Sequence, residues 1–270
     1  MSELQDNIRL AARAINQASA LLITAGAGMG VDSGLPDFRG NQGFWRAYPA
    51  LKGYPFEEMA NPKWFTSDPT RAWGFYGHRL NLYRETTPHK GFDILLEWSK
   101  HIPSFVYTSN VDGQFQKAGF PADKIVECHG SIHHLQHVDT EEHGDDIWSA
   151  KDYIVDVDMS SVRAKAPLPK KDRHIVRPNI LMFGDWEWCR DRTDQQKQNF
   201  VNWLEETDTS NLVIVEMGAG TAIPSIRNLS NRLKSQGATL IRINPREAQG
   251  ATIPFALGAK EALIAINKAR

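Results

Sequence analysis

The sequence predicts an α/β protein: a doubly wound, Rossmann-like parallel sheet with a second, smaller lobe inserted into it. Three features of the 270 residues carry that expectation. Short apolar runs recur, the first of them closed by glycines, as buried parallel strands require. Helical stretches lie between several of these runs, which implies a sheet covered on both faces. Two long stretches break the alternation, and these supply the second lobe.

Taken in order, Asp6 to Ser19 reads as an amphipathic helix, with Ile8, Ala11, Ala12, Ile15 and Ala18 near a 3.6-residue period. Ala20 to Thr24 is the first strand, followed by glycines at 26, 28, 30 and 34. The runs 104–107, 124–127, 180–183, 212–215 and 239–243 are further strands by the same reasoning. Gln195 to Glu206, with Phe200, Trp203 and Leu204 on one face, and Pro224 to Ser235, with Ile226, Leu229 and Leu233, are helices. Residues 41 to about 90 are rich in aromatics and prolines and read as helices with loops. Residues 131–177 are polar, acidic and His-containing at first and basic at Lys170, Lys171 and Arg173. The chain is thus expected to be one unit over 1–270, its large lobe formed by about 1–40, 91–130 and 178–270 and its small lobe by about 41–90 and 131–177. A cleft between two lobes is a common place for ligands. Trp186, Trp188 and Trp203 are expected to pack in the core or between lobes, since no basic stripe accompanies them.

Composition narrows the function classes. Apolar residues make up 41% and charged residues 23%, which excludes a disordered, collagenous or coiled-coil chain. Lys plus Arg total 31 against 32 Asp plus Glu, so the formal charge of −1 provides no field for nucleic acid or anionic membranes. No apolar run approaches the roughly 20 residues of a membrane helix, and MSELQDNIRLAARAINQ has no signal-peptide character. Cys128 and Cys189 form no disulfide framework. A cytoplasmic protein, monomeric or weakly oligomeric, is expected.

Gly26-Ala27-Gly28-Met29-Gly30 directly follows a strand, where glycines let backbone N–H groups approach a phosphate. The continuation Val31-Asp32-Ser33-Gly34-Leu35-Pro36-Asp37-Phe38-Arg39-Gly40 is a loop rather than the immediate helix of the dinucleotide fingerprint, so an ordinary oxidoreductase fits poorly. The whole stretch GAGMGVDSGLPDFRG resembles the nucleotide-binding signature of the sirtuins, NAD-dependent protein deacylases. TSNVDGQFQKAG at 108–119, ECHGS at 127–131, RPNILMFGD at 177–185, GAGTAIP at 218–224 and IN at 243–244 resemble the family's later motifs, in family order.

The resemblance implies an NAD-binding large lobe and names site residues. His129 is the implied catalytic base, and a histidine suits that task because its ordinary pKa lies near neutrality. Asn110 positions a water and the ribose, and Asp112 accepts from the nicotinamide carboxamide. Gly26, Ala27, Gly28, Asp37, Ser109, Gly218, Ala219, Gly220 and Thr221 belong to the implied cofactor motifs. Arg39 meets the pyrophosphate, Phe38 shields the sugar and Asn244 bonds the adenosine ribose. Leu181, Phe183 and Gly184 would pair with an extended acyl-lysine peptide by strand addition. Tyr76 and Arg79 match a Tyr-x-x-Arg that in one sirtuin class recognises the carboxylate of succinyl- or malonyl-lysine, a role suited to guanidinium and phenol donors; otherwise they are a helix-surface pair.

Three departures stand out. Gly30 replaces a usual Ser, Ser109 replaces a usual Gln, and the four cysteines of the family's structural zinc are missing, with no cysteine between 129 and 177. His137, His143, Asp172 and His174 fall near where metal ligands would lie, but their spacing is not that of a zinc site. No zinc ribbon and no metal are expected. The implied activity is NAD-dependent deacylation of protein lysine, yielding nicotinamide and O-acyl-ADP-ribose. Protein ADP-ribosyl transfer, NAD hydrolysis and a non-catalytic module reading NAD or ADP-ribose are the alternatives.

Overall fold

The computed structural model describes residues 3–37 and 40–270, with the backbone alone at 40 and 41. Six parallel strands form the central sheet in the order Ile253–Phe255, Thr239–Ile243, Leu212–Met217, Ala20–Ala25, Ser104–Thr108 and Ile125–Glu127. Strand order therefore reverses direction at the Ala20–Ala25/Leu212–Met217 pair. Every residue of those two strands is buried, which explains why their sequences, ALLITA and LVIVEM, are nearly unbroken apolar runs.

Helices Glu3–Gln17, Lys90–Ser99 and Ala259–Ala269 cover one face through Ile8, Ile15, Phe92, Trp98 and Leu263. Asp191–Glu206 and Ser225–Ser235 cover the other through Phe200, Trp203, Ile226 and Leu229. The sheet is doubly wound, as expected. A third, aromatic-rich core joins helix Pro69–Glu85 to Phe44, Tyr48 and Phe65, and to Ile132, Leu135 and Val176 of an antiparallel strand pair. That pair, Gly130–His137 with His174–Ile180, lies in a separate four-stranded sheet that includes two two-residue strands.

Two expectations need correction here. The run 180–183 is not a strand of the parallel sheet: the observed strand ends at Ile180 and pairs antiparallel with Gly130–His137. Four apolar residues cannot distinguish a parallel strand from the end of an antiparallel ribbon. Trp186 does not pack; it is 94% exposed. Strand Ile253–Phe255 and helix Ala259–Ala269 have no counterpart among the elements expected from sequence. Pro254 lacks a ladder donor and is tolerated because this strand lies at the sheet edge. Among the described residues no helix is long and apolar enough to cross a membrane.

Candidate active site

Open α/β sheets bind ligands at the carboxyl ends of their strands, where strand order reverses. Here two glycine loops meet at that point. The Gly26 N–H donates to Met217 O (2.9 Å) and the Gly28 N–H to Gly218 O (3.1 Å). A Cβ on Gly28 would stand 2.7 Å from the Gly218 Cα, and Gly218 itself has φ +59°. These glycines are thus required for the two loops to interlock, a constraint that precedes any phosphate. Gly220, by contrast, has open space where a Cβ would stand, with no heavy atom within 4 Å.

His129 stands two residues past the end of the edge strand Ile125–Glu127. Its Nε2 lies 3.2 Å from Ser225 Oγ, and the ring also bonds the Ser109 backbone. Burial lowers its pKa below the usual histidine value, the Ser109 bond opposes this, and Lys197 adds to the lowering. The neutral imidazole therefore prevails at neutral pH, as a base requires. An edge strand leaves backbone groups without a neighbouring strand. At Glu127 the first two turns of helix Asp191–Glu206 supply the missing partners: Gln196 Oε1 accepts from the Glu127 N–H (3.0 Å), Thr193 Oγ1 donates to its carbonyl (3.2 Å), and Arg192 pairs with its carboxylate. Two residues before His129, the backbone is thereby held from the helix side. The His129 carbonyl accepts from the Leu181 N–H at 2.9 Å. Ser225, Arg192, Thr193 and Gln196 were not singled out by sequence.

The loop after Ser104–Thr108 carries Ser109, Asn110 and Asp112. The Ser109 N–H and Thr108 Oγ1 both donate to Ala25 O at 3.0 Å, and the Asn110 N–H donates to Thr108 Oγ1. Asn110 and Asp112 are each 8% exposed. Asp112 Oδ1 accepts from the Gln114 N–H (2.9 Å), and its carbonyl from His133 Nε2. Burial pushes the Asp112 carboxyl up to about 6, with Gln114 and Arg79 opposing and Glu127 adding to the rise. The folded state holds this proton more tightly than the unfolded chain, whose aspartates titrate near 3.9. Stability therefore declines as pH rises from about 4 to about 6, by roughly 3 kcal/mol in all. Asp112→Asn is expected to raise Tm at pH 7.5 and lose that gain by pH 4. Thermal unfolding at both pH values checks this; a destabilised variant at pH 7.5 would contradict it.

The other cofactor candidates divide. Asp37 Oδ2 lies 3.6 Å from Arg246 Nη2, and Thr221 Oγ1 donates to Glu247 Oε1. Ala219 is buried, its carbonyl accepting from Arg227 Nε and Asn244 Nδ2. Asn244 is bonded within its own loop region. Its side chain is fully buried, and Oδ1 accepts from the Arg246 and Glu247 N–H groups. It braces the 218–220 loop against residues 244–247. The roles expected of Phe38 and Arg39 lie outside the described residues.

Tyr76 and Arg79 are not a surface pair: they are 1% and 7% exposed in the aromatic core. Arg79 Nε donates to Tyr83 Oη at 3.0 Å, and its guanidinium lies 5.2–5.5 Å from the ring centres of Phe75, Tyr76 and Tyr83. The Tyr76 hydroxyl has no hydrogen-bond partner among the described residues, and burial pushes its pKa up to about 12. A buried phenol left in this way is costly unless a ligand atom meets it.

The expected peptide stretch has its own main-chain partners. The Leu181, Met182 and Phe183 N–H groups are all engaged within the chain, by His129 O, Asp185 Oδ2 and Ala60 O. Strand addition here has to use carbonyls and later N–H groups.

No group of three or more His, Cys, Asp or Glu among the described residues is arranged for a metal ion. The His143 and His174 ring centres lie 3.9 Å apart and those of His137 and His143 5.5 Å, with His137 also against Trp148. A zinc site does not fit these residues. Purified protein is expected to carry well under one zinc per chain and to keep its Tm in chelator, as metal analysis and calorimetry would show; a tightly held stoichiometric zinc whose removal lowers Tm would contradict this.

Comparison with known proteins gives one consistent picture. Residues 26–221 match the family model for the Sir2 family. The chain is 26% identical over 238 residues to the NAD-dependent protein deacylase 1 of Archaeoglobus fulgidus, covering 87% of this chain and 85% of that one. It is 29% identical over 233 residues to the NAD-dependent protein deacetylase of Saccharolobus solfataricus, covering 85% and 82%. The crystal structure of a Sir2 homologue in complex with NAD superimposes with a TM-score of 0.74 at 25% identity, over 96% of this chain and 92% of that one.

Proposed function

Because the chain belongs to the Sir2 family, we propose that it removes acyl groups from protein lysine at the expense of NAD. The observation that carries this reading is His129: a half-buried imidazole just past the carboxyl end of edge strand Ile125–Glu127, bonded to Ser225 Oγ and to the backbone of Ser109, on the loop that also carries Asn110 and Asp112. Bound NAD supplies a ribose carbon with a cationic nicotinamide as leaving group, so the hard step belongs to the cofactor. The chain's residues bind, orient and move protons. Asp112 accepts from the carboxamide, and with its pKa raised to about 6 it is mostly ionised only above that pH. Asn110 orients the ribose. His129 removes the proton of a ribose hydroxyl, which takes the place of Ser225 Oγ at Nε2. Gly26, Ala27, Gly28, Asp37, Ser109, Gly218, Gly220 and Thr221 surround the rest of the cofactor.

Leu181, Phe183 and Gly184 take the acyl-lysine peptide, and Tyr76 and Arg79 receive the acyl group. The buried guanidinium and the partnerless Tyr76 hydroxyl favour an acyl chain ending in a carboxylate, succinyl or malonyl, over acetyl. The same reading takes the protein as cytoplasmic, monomeric or weakly oligomeric, and without a nucleic-acid or membrane partner. Its two free, buried cysteines accord with a reducing compartment.

The test is incubation with NAD and a library of acyl-lysine peptides, followed by mass analysis. Loss of the acyl mass from peptide together with O-acyl-ADP-ribose supports the proposal. A gain of ADP-ribose on protein, nicotinamide release without peptide chemistry, or binding without turnover would each replace it with a different function.

A further inference from the structure

Trp186 combines two properties that rarely occur together: a large apolar side chain left in water and a backbone clamped on both sides. It is 94% exposed. On one side, the Asp185 carboxylate pairs with Arg177, with both side chains fully buried, and Oδ2 accepts the Met182 N–H at 3.1 Å. On the other, the Glu187 carboxylate accepts from the Thr140 N–H and hydroxyl, and its carbonyl accepts from Gln136 Nε2 at 2.6 Å. The indole is therefore presented by a fixed frame and not by a loose loop. Leu181, 39% exposed on the same segment, adds a second apolar contact next to the His129 carbonyl.

A side chain held this way loses little backbone freedom on binding, which is what makes aromatic anchors effective. A need for such an anchor is also apparent. With the N–H groups of 181–183 already engaged, main-chain pairing offers a peptide fewer bonds than an open strand edge would. The two acids flanking Trp186 are engaged as well, so they add no field for a basic partner.

We infer that Trp186 sets substrate preference, packing against an apolar side chain (leucine, methionine or phenylalanine) within two residues of the acyl-lysine. This rests on the deacylase reading, since the peptide stretch 181–184 ends two residues before it.

The experiment uses the full chain and a panel of single acyl-lysine peptides with Gly/Ser flanks, into which one Leu, Phe or Arg is placed at each of the two positions on either side. Wild type is expected to show a KM about tenfold lower for the best Leu or Phe peptide than for the Gly/Ser parent, with kcat little changed. Trp186→Ala should erase that difference and Trp186→Phe should keep most of it. Equal KM values across the panel, a preference for Arg, or an apolar preference that survives Trp186→Ala would overturn the inference. Anisotropy of the same peptides, fluorescein-labelled, reads binding without turnover. A chain that binds Leu and Phe peptides through Trp186 but never removes the acyl group would contradict the deacylase reading and leave the Trp186 contact standing.

Discussion

His129→Ala is expected to lower deacylation by about 100- to 10,000-fold, the usual range for loss of a general base, while changing NAD affinity by less than about threefold. The asymmetry follows from what the ring touches. Its hydrogen bonds run to Ser225 and to the Ser109 backbone, both on the chain itself, so removing it leaves the glycine loops and the Asn110–Asp112 loop in place. What is lost is a neutral acceptor at the strand end. Stopped turnover paired with calorimetric NAD titration checks both halves. A variant retaining more than a few per cent of wild-type turnover would remove His129 from the mechanism. One that no longer binds NAD would make it a binding residue instead. The wild-type rate should also fall on acidification toward and below pH 6, where the Asp112 carboxyl, pushed up to about 6, loses its charge, and where His129, whose pKa lies below the ordinary histidine value, in turn loses its neutral form.

Arg79→Met carries the second large effect, and it is an effect on a ratio. A succinyl or malonyl carboxylate gives the buried guanidinium a charged acceptor and the Tyr76 hydroxyl a partner; an acetyl methyl supplies neither. A charge-assisted bond in such a pocket amounts to about 1.5–3 kcal/mol, or roughly 10- to 150-fold in specificity. Wild type should therefore prefer succinyl- over acetyl-lysine in kcat/KM. Methionine keeps the length and apolar fit among Phe75, Tyr76 and Tyr83 while removing the charge, so desuccinylation should collapse and deacetylation hold or improve. Parallel rates on the two peptides, with a ratio unmoved by the substitution, would defeat the acidic-acyl assignment and leave the deacylase assignment untouched.

The parts of this molecule that sequence reveals are those whose physics is local. Ala20–Ala25 and Leu212–Met217 are buried on both faces and almost wholly apolar, their exceptions Thr24 and Glu216 being partnered by Ser230 and Arg242, so they stand out. Strand Gly130–His137 does not. Its sequence GSIHHLQH is polar, yet Ser131, Gln136 and His137 are buried. Their burial is possible because polar partners arrive from elsewhere: Gln136 Oε1 accepts from Asn179 Nδ2 and the Cys189 N–H. Composition carries no trace of that pairing. The site divides along the same line. His129, Asn110 and Asp112 sit in contiguous motifs and are legible directly. Ser225, Gln196 and Thr193 act on His129 or its neighbour Glu127 across 66 to 96 residues of sequence, and only the fold brings them together. Trp186 reads as a packing residue because tryptophan usually is one; that it is clamped outward depends on the Asp185–Arg177 pair and on Thr140, which lies 47 residues from the Glu187 it binds.

The most direct measure of the central claim is stoichiometry in a single reaction. One mixture of protein, NAD and a succinyl-lysine peptide is followed by mass for free lysine peptide, nicotinamide and O-acyl-ADP-ribose together. The account predicts the three products in equal amounts, all abolished by His129→Ala. Peptide deacylated to free carboxylate without NAD consumption, or nicotinamide released with the acyl group still on lysine, would contradict it.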